Sequence, residues 1–130
     1  MRRAFILIVA VGFLAACGSS GSKPKVNGIP VTFGVEGGNI APYTIAISAA
    51  GAVKETAGIL SVTKHHVPAA VTLAVKADSA GVSSRQCAGT LPDIGARFVT
   101  VNGKTVTVHG GCEPAFEKLW SKLTAAVGIG

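Results

Sequence analysis

Arg97-Phe98-Val99-Thr100-Val101-Asn102-Gly103-Lys104-Thr105-Val106-Thr107-Val108 decides the fold class. Two β-branched runs of alternating polarity flank Asn102-Gly103. That dipeptide accepts the positive φ of a two-residue turn at little cost, so the stretch predicts a β-hairpin. Phe98 is out of phase with Val99 and Val101, which points to the edge of the hairpin or to a bulge.

Toward the C-terminus, Gly110-Gly111 ends the second strand. Glu113 and Pro114 then open a helix to about Val127, because Pro at the first helical position and an acidic first turn both favour it. Ala115, Phe116, Leu119, Trp120, Leu123 and Val127 recur at helical spacing as its buried stripe, with Lys118 and Lys122 facing out. At that spacing Trp120 belongs to the core rather than to a ligand-stacking surface.

Toward the N-terminus, Arg85 to Ile94 reads as a loop carrying Cys87. Residues 59–82 admit two interpretations. Val67 to Val75 is rich in β-branched residues, which favours a strand. Pro68 suits a helix first turn, Gly81 suits a C′ position, and the alanines between them are strong helix formers. A helix over 67–80, burying Val67, Val71, Ala74 and Val75, is the expectation adopted. Earlier still, Pro30 to Val35 reads as a strand with Val31, Phe33 and Val35 on one face. Glu36-Gly37-Gly38-Asn39 is a turn, Tyr43 to Ser48 the return strand with Ile45 and Ile47 inward, and Ala52 to Thr56 a third strand after the turn Ala49-Ala50-Gly51. The fold class is therefore α+β: an antiparallel β-sheet of hairpins with one or two helices packed on one face.

A chain of 130 residues fits one domain, and its 48% hydrophobic content is mostly small Ala and Val. Each such side chain buries little area, so one modest core is expected. The net charge is +6, from twelve Lys and Arg against six Asp and Glu. Those cations are scattered rather than drawn into a stripe, which argues against nucleic acid as a partner. A weak attraction to anionic lipid or to an acidic cell-wall polymer uses the charge better.

The first residues carry an address. Met1-Arg2-Arg3 is a cationic head, and Ala4 to Ala16 is an apolar run too short to span a bilayer but long enough for a signal-peptide core. The run ends in Leu14-Ala15-Ala16-Cys17. This resembles the lipobox of bacterial lipoproteins, and the resemblance covers residues 1–17. It implies a signal peptide over residues 1–16, removed on export, and diacylglycerol on the Cys17 thiol, which would hold the chain on the outer face of the cell membrane or in the outer membrane. Gly18-Ser19-Ser20-Gly21-Ser22 and Lys23-Pro24-Lys25 continue as a flexible tether over residues 17–28. The single domain occupies residues 29–130.

Cys87 and Cys112 are the thiols left after lipidation, and in an oxidising compartment two such cysteines pair. The bridge would tie the loop before the hairpin to the entrance of the last helix. His65, His66 and His109 form a candidate metal set, although adjacent strand residues point to opposite faces and seldom share an ion. Solvated histidines at an element's edge are the simpler expectation. Asp93 and Glu113 lie near the two cysteines in sequence, as a turn Asp and a helix-starting Glu. No G-x-S-x-G, P-loop, G-x-G-x-x-G or H-E-x-x-H is present, so no cofactor is expected and the chain reads as a non-enzyme. The leading expectation is a lipid-anchored envelope domain that binds a protein or a cell-wall component. An exported protease inhibitor, presenting Gln86 to Asp93 on a stiffened loop, is the alternative. A metal-binding envelope protein is the third.

Residues 31–60 and 96–125 also resemble small exported domains laid out as a Gly-Gly hairpin, a helix, a second hairpin and a last helix, among them the emfourin-type inhibitors of thermolysin-like metalloproteases. Val35-Glu36-Gly37-Gly38-Asn39-Ile40 and Tyr43 to Gly51 carry the likeness. The Cys87/Cys112 pair and the Ala-rich middle depart from it. The resemblance implies no inhibitory residues here; it places protease inhibition ahead of other binding functions.

Overall fold

The structure, a computed structural model, describes residues 25–57 and 59–129. The expected signal peptide over residues 1–16, Cys17 and the expected tether up to Pro24 lie outside the described residues. The elements run β1 (Val31–Glu36), β2 (Tyr43–Ile47), β3 (Val53–Thr56), α1 (Ala69–Ser79), β4 (Arg85–Gln86), β5 (Ala96–Val101), β6 (Lys104–His109) and α2 (Pro114–Val127). The six strands form one sheet in the order β3-β2-β1-β5-β6-β4. Two helices and a mostly antiparallel sheet make the fold α+β, as the hairpin and helix patterns indicated.

Alternation along the strands sorts the side chains between two faces. Val31 and Phe33 of β1, Ile45 and Ile47 of β2, Val99 and Val101 of β5, and Val106 and Val108 of β6 are buried toward the helices. Val75 of α1 and Phe116, Leu119, Leu123 and Val127 of α2 complete the core. Trp120 is half-buried and meets Phe33 edge-on at 5.5 Å between centroids and Phe116 in a stack at 6.1 Å. Ala115, expected in the stripe, is exposed, because the helix presents Phe116 and Leu119 to the sheet and turns its first residues toward solvent.

Four sequence expectations are corrected. Arg85–Gln86 belongs to the sheet: β4 pairs in parallel with β6, Arg85 opposite Val108 and Gln86 opposite His109. Two residues are too few to show period-2 patterning, and Cys87 and the turn residues after it read as a loop. The α1 stripe contains Thr72 rather than Val71 or Ala74, which are half-buried, while Val67 is buried before the helix begins. Thr72 Oγ1 accepts from the Ile29 N–H and donates to the Ala69 carbonyl, both at 3.1 Å, which is what lets a hydroxyl sit in the core. Gly81 is not in the left-handed region; α1 ends on right-handed Ala80, whereas α2 ends on Gly128 at φ 71°. Phe98 marks neither edge nor bulge, being in unbroken register between Gly34 and Thr107 with its side chain on the face away from the helices.

The sheet has two distinct ends. The described chain enters at one of them, where the Gly28 N–H donates to the Ala49 carbonyl at 2.8 Å just before β1. Val31 pairs with Val101, so the Asn102-Gly103 turn lies at that same end. Glu36 pairs with Ala96 at the other end, about 17 Å away by the rise of the five steps from Val31.

Candidate functional site

At the end of the sheet remote from Gly28, two loops are locked together. Gly37 and Gly38, both at positive φ, turn the chain after β1. The Asn39 N–H then donates to the Asp93 carbonyl at 2.8 Å, which joins this turn to the segment before β5. That segment is itself a chain of tight turns. The Thr90 N–H reaches the Cys87 carbonyl, and the Ile94 N–H reaches the Leu91 carbonyl at 3.1 Å.

The Cys87–Cys112 disulfide, with Cα atoms 5.7 Å apart, fastens the start of the segment to the approach of α2. The Cys87 N–H donates to the His109 carbonyl at 2.9 Å, and Thr90 Oγ1 donates to the Cys87 carbonyl at 2.9 Å. Gly110 makes this close packing possible. Its φ is +102°, and a Cβ there would stand 2.7 Å from the Cys87 Cβ and 2.3 Å from Thr90 Oγ1. Arg97 braces the same strap from below. It donates to the Gly110 carbonyl at 2.8 Å, pairs with Glu117 through both guanidinium nitrogens, and lies 5.5 Å from the Phe116 and Trp120 ring centres.

This braced end carries apolar side chains outward. Ile40, Leu91 and Ile94 remain 58%, 60% and 46% exposed. With fixed backbone beneath these exposed aliphatic groups, little entropy remains to be lost on contact.

A second feature adjoins it. A shallow cavity of about 330 Å³ is bordered by Ser84, Arg85, Gln86, Ala96, Thr107 and His109. His109 Nε2 donates to the Ile94 carbonyl. Nδ1 faces the Gln86 amide, 2.7 Å from its Nε2 and 2.9 Å from its Oε1. Ser84 Oγ accepts from the Thr107 N–H at 3.0 Å. Arg85 pairs in register with buried Val108, and its guanidinium meets Glu113 at 3.5 Å on the helix side.

The structure keeps the three histidines apart. His66 bridges to Ala52 beside β3, and His109 lies on β6, four strand spacings away, or about 19 Å. They cannot share one ion, and no group of three His, Cys, Asp or Glu among the described residues is placed to hold a metal. Asp93 and Glu113 also serve different partners, Asp93 through its carbonyl to Asn39 and Glu113 through its carboxylate to Arg85. The predicted loop Gln86 to Asp93 is part of the braced end. Ile40 and Ile94 were missed because a single aliphatic residue in a Gly- and Pro-bounded loop has no periodicity to betray its role.

Comparison with family models, with curated proteins and with solved structures finds no match for the chain. Its element order is hairpin, helix, hairpin, helix, with β3 after the first hairpin and β4 before the second. Among the described residues no helix is long and apolar enough to cross a membrane.

Proposed function

We propose that this chain is a lipid-anchored, non-catalytic binding module of the bacterial envelope that meets a protein partner with the braced apolar end of its sheet. The observation that carries the proposal is the exposure of Ile40, Leu91 and Ile94 on loops fixed by the disulfide and by the Asn39–Asp93 hydrogen bond. The lipobox resemblance at Leu14-Ala15-Ala16-Cys17 supplies the anchor. The tether joins the domain at the opposite end of β1, so a lipid on Cys17 leaves the apolar end pointing away from the bilayer, where a partner can reach it.

Intact mass of membrane-extracted protein tests the anchor: a chain beginning at Cys17 with added acyl mass supports it, and a chain without lipid removes it. A photoreactive residue placed at Leu91, and separately at Asn102, tests the docking end in intact cells. One discrete adduct from position 91, lost with Ile94→Asp and absent from position 102, is expected. Equal adducts from both positions would remove the orientation.

The exported protease inhibitor is the second reading, favoured by Leu91 standing outward on a loop closed by the disulfide. The consecutive turns over Cys87–Thr90 and Leu91–Ile94 leave little extended backbone to lie in a protease cleft, which places the docking reading ahead of it. Slowing of any member of a metalloprotease and serine protease panel by the purified protein would reverse that order.

A further inference from the structure

The sheet face away from the helices has no covering layer among the described residues, and its composition differs from the rest of the surface. Register gives two neighbouring rows across the strands. One runs Lys54, Ala46, Thr32, Thr100, Thr105, and the other runs Thr56, Thr44, Gly34, Phe98, Thr107. Both are free of charge except at Lys54 on the outer strand. Phe98 is the one aromatic residue on this face, and it stands opposite Gly34, which offers no side chain. The cavity bordered by Ser84, Arg85, Gln86, Ala96, Thr107 and His109 continues the second row directly, since Thr107 is the register partner of Phe98.

The chemistry of that cavity is specific. With His109 held by Ile94 and Gln86, the Gln86 amide still has an N–H and an oxygen lone pair beyond its contact with Nδ1. The Ser84 hydroxyl still has its proton to give while its oxygen accepts from Thr107. The Thr107 hydroxyl both donates and accepts. The nearest cation, Arg85, is turned to Glu113 on the other side of the sheet. Apart from Arg85, whose guanidinium is paired with Glu113, the lining is uncharged and mixes donors with acceptors, it is oriented in advance by the His109–Gln86 pair, and a half-buried ring stands next to it.

We infer that this cavity binds a neutral sugar ring of a glycan chain, with Gln86, Ser84 and Thr107 taking its hydroxyls and Phe98 lying against its apolar C–H face. A polyol matches such a lining because each hydroxyl both donates and accepts, so paired amide and hydroxyl groups satisfy it without a net charge. An acidic polymer would need a free cation, and the one at this cavity, Arg85, is paired with Glu113, while a purely apolar ligand would strand the Gln86 and Ser84 groups without partners. The site is separate from the apolar end. It goes beyond the docking proposal and does not depend on it.

The test is a titration of the ¹⁵N-labelled, detergent-purified protein with chitotetraose and, separately, with maltotetraose, followed by amide chemical shifts. Saturable shifts at Ser84, Gln86 and Thr107 with at least one of these neutral oligosaccharides are expected, with a dissociation constant of about 1 mM or tighter. Gln86→Ala and Thr107→Val should each weaken binding roughly tenfold at unchanged thermal midpoint, the loss of one satisfied hydrogen-bond partner. Phe98→Leu should weaken it while keeping an apolar group over Gly34.

Absence of shifts with both sugars at ~10 mM overturns the inference. So does unchanged binding by the Gln86 and Thr107 variants, or binding only of an oligogalacturonate that disappears with added salt. None of these outcomes bears on the apolar end, whose test is the adduct at position 91.

Discussion

Phe33 and Phe98 sit on adjacent strands of the same sheet, one step apart in register, yet they live under different rules. Phe33 faces the helices, is fully buried and meets Trp120 edge-on. Phe98 faces the other way, half-exposed among Thr44, Thr107 and the bare backbone of Gly34. The comparison extends to whole faces. The covered face is Val, Ile, Phe and Leu, packed and closed. The open face is Thr, Ala and Gly around one ring. Strand alternation thus separates the residues that hold the fold from those free to recognise something, and a change on one face need not disturb the other.

The sharpest way to break this division is a matched pair of truncations. Phe33→Ala empties a core position with no exposure and is expected to cost about 3–5 kcal/mol. Phe98→Ala removes area that is already half in water and should cost about 1 kcal/mol. Urea unfolding of both variants measures the difference, and equal losses would mean that the open face is covered by something in the folded protein.

The Cys87–Cys112 bridge belongs to neither face and holds the end where they meet. It spans a separation of 25 residues, for which the chain-entropy model gives about 3.5 kcal/mol. The double variant Cys87→Ser/Cys112→Ser should lose about that much by thermal or urea unfolding. Amide exchange should rise first over Cys87–Ile94, because the remaining ties of that segment are single hydrogen bonds. Loss of stability with no local rise in exchange would show that the bridge acts on the unfolded chain alone.

How far these elements were legible follows from pattern length. The β5–β6 hairpin carries twelve residues of alternation around an Asn-Gly turn, and α2 carries four turns of helical spacing opened by a proline. Both appear as expected, α2 over Pro114–Val127. β4 is two residues long, and pairing at that length is decided by what lies beside it rather than by its own sequence. Thr72 was passed over because a hydroxyl breaks an apolar stripe on paper, while in the fold the Ile29 N–H awaits it. The disulfide was legible from export chemistry and cysteine number. The apolar end was only half legible: the loop was identified, but its union with Gly37–Ile40 depends on a contact across the sheet end that no local spacing encodes.

Thr72 offers a smaller test of the same division. Thr72→Val keeps the shape but leaves the part-buried Ile29 N–H without its acceptor, a loss expected at about 2 kcal/mol. Thr100→Val on the open face breaks the exposed 2.7 Å contact to Thr105 and should change stability by no more than about 0.5 kcal/mol. A fourfold ratio between two identical substitutions would place the difference in burial and not in residue type. Equal effects would place it in the intrinsic preference of valine for strands and helices.

The smallest expected effect lies at the rim of the covered face. Tyr43 begins β2 near Arg97, and burial raises its phenol above the usual 10.0 while the Arg97 charge pulls it partly back. Because the folded value is raised, the folded protein holds the proton more tightly than the unfolded chain. The associated stability is full below pH 10.0 and is lost as pH climbs from there through the folded value. The sequence contains one tyrosine, so phenolate absorbance reports Tyr43 alone. Its titration midpoint should lie above 10.0 in the folded protein, return to it in concentrated guanidinium chloride, and rise further in Arg97→Met, where the neighbouring cation is gone. Tyr43→Phe should flatten the alkaline fall in stability without altering the neutral value by more than a hydrogen-bonding group's worth. A folded midpoint at or below 10.0 would mean that the rim is wet, and that the covered face starts one residue later along β2 than its packing indicates.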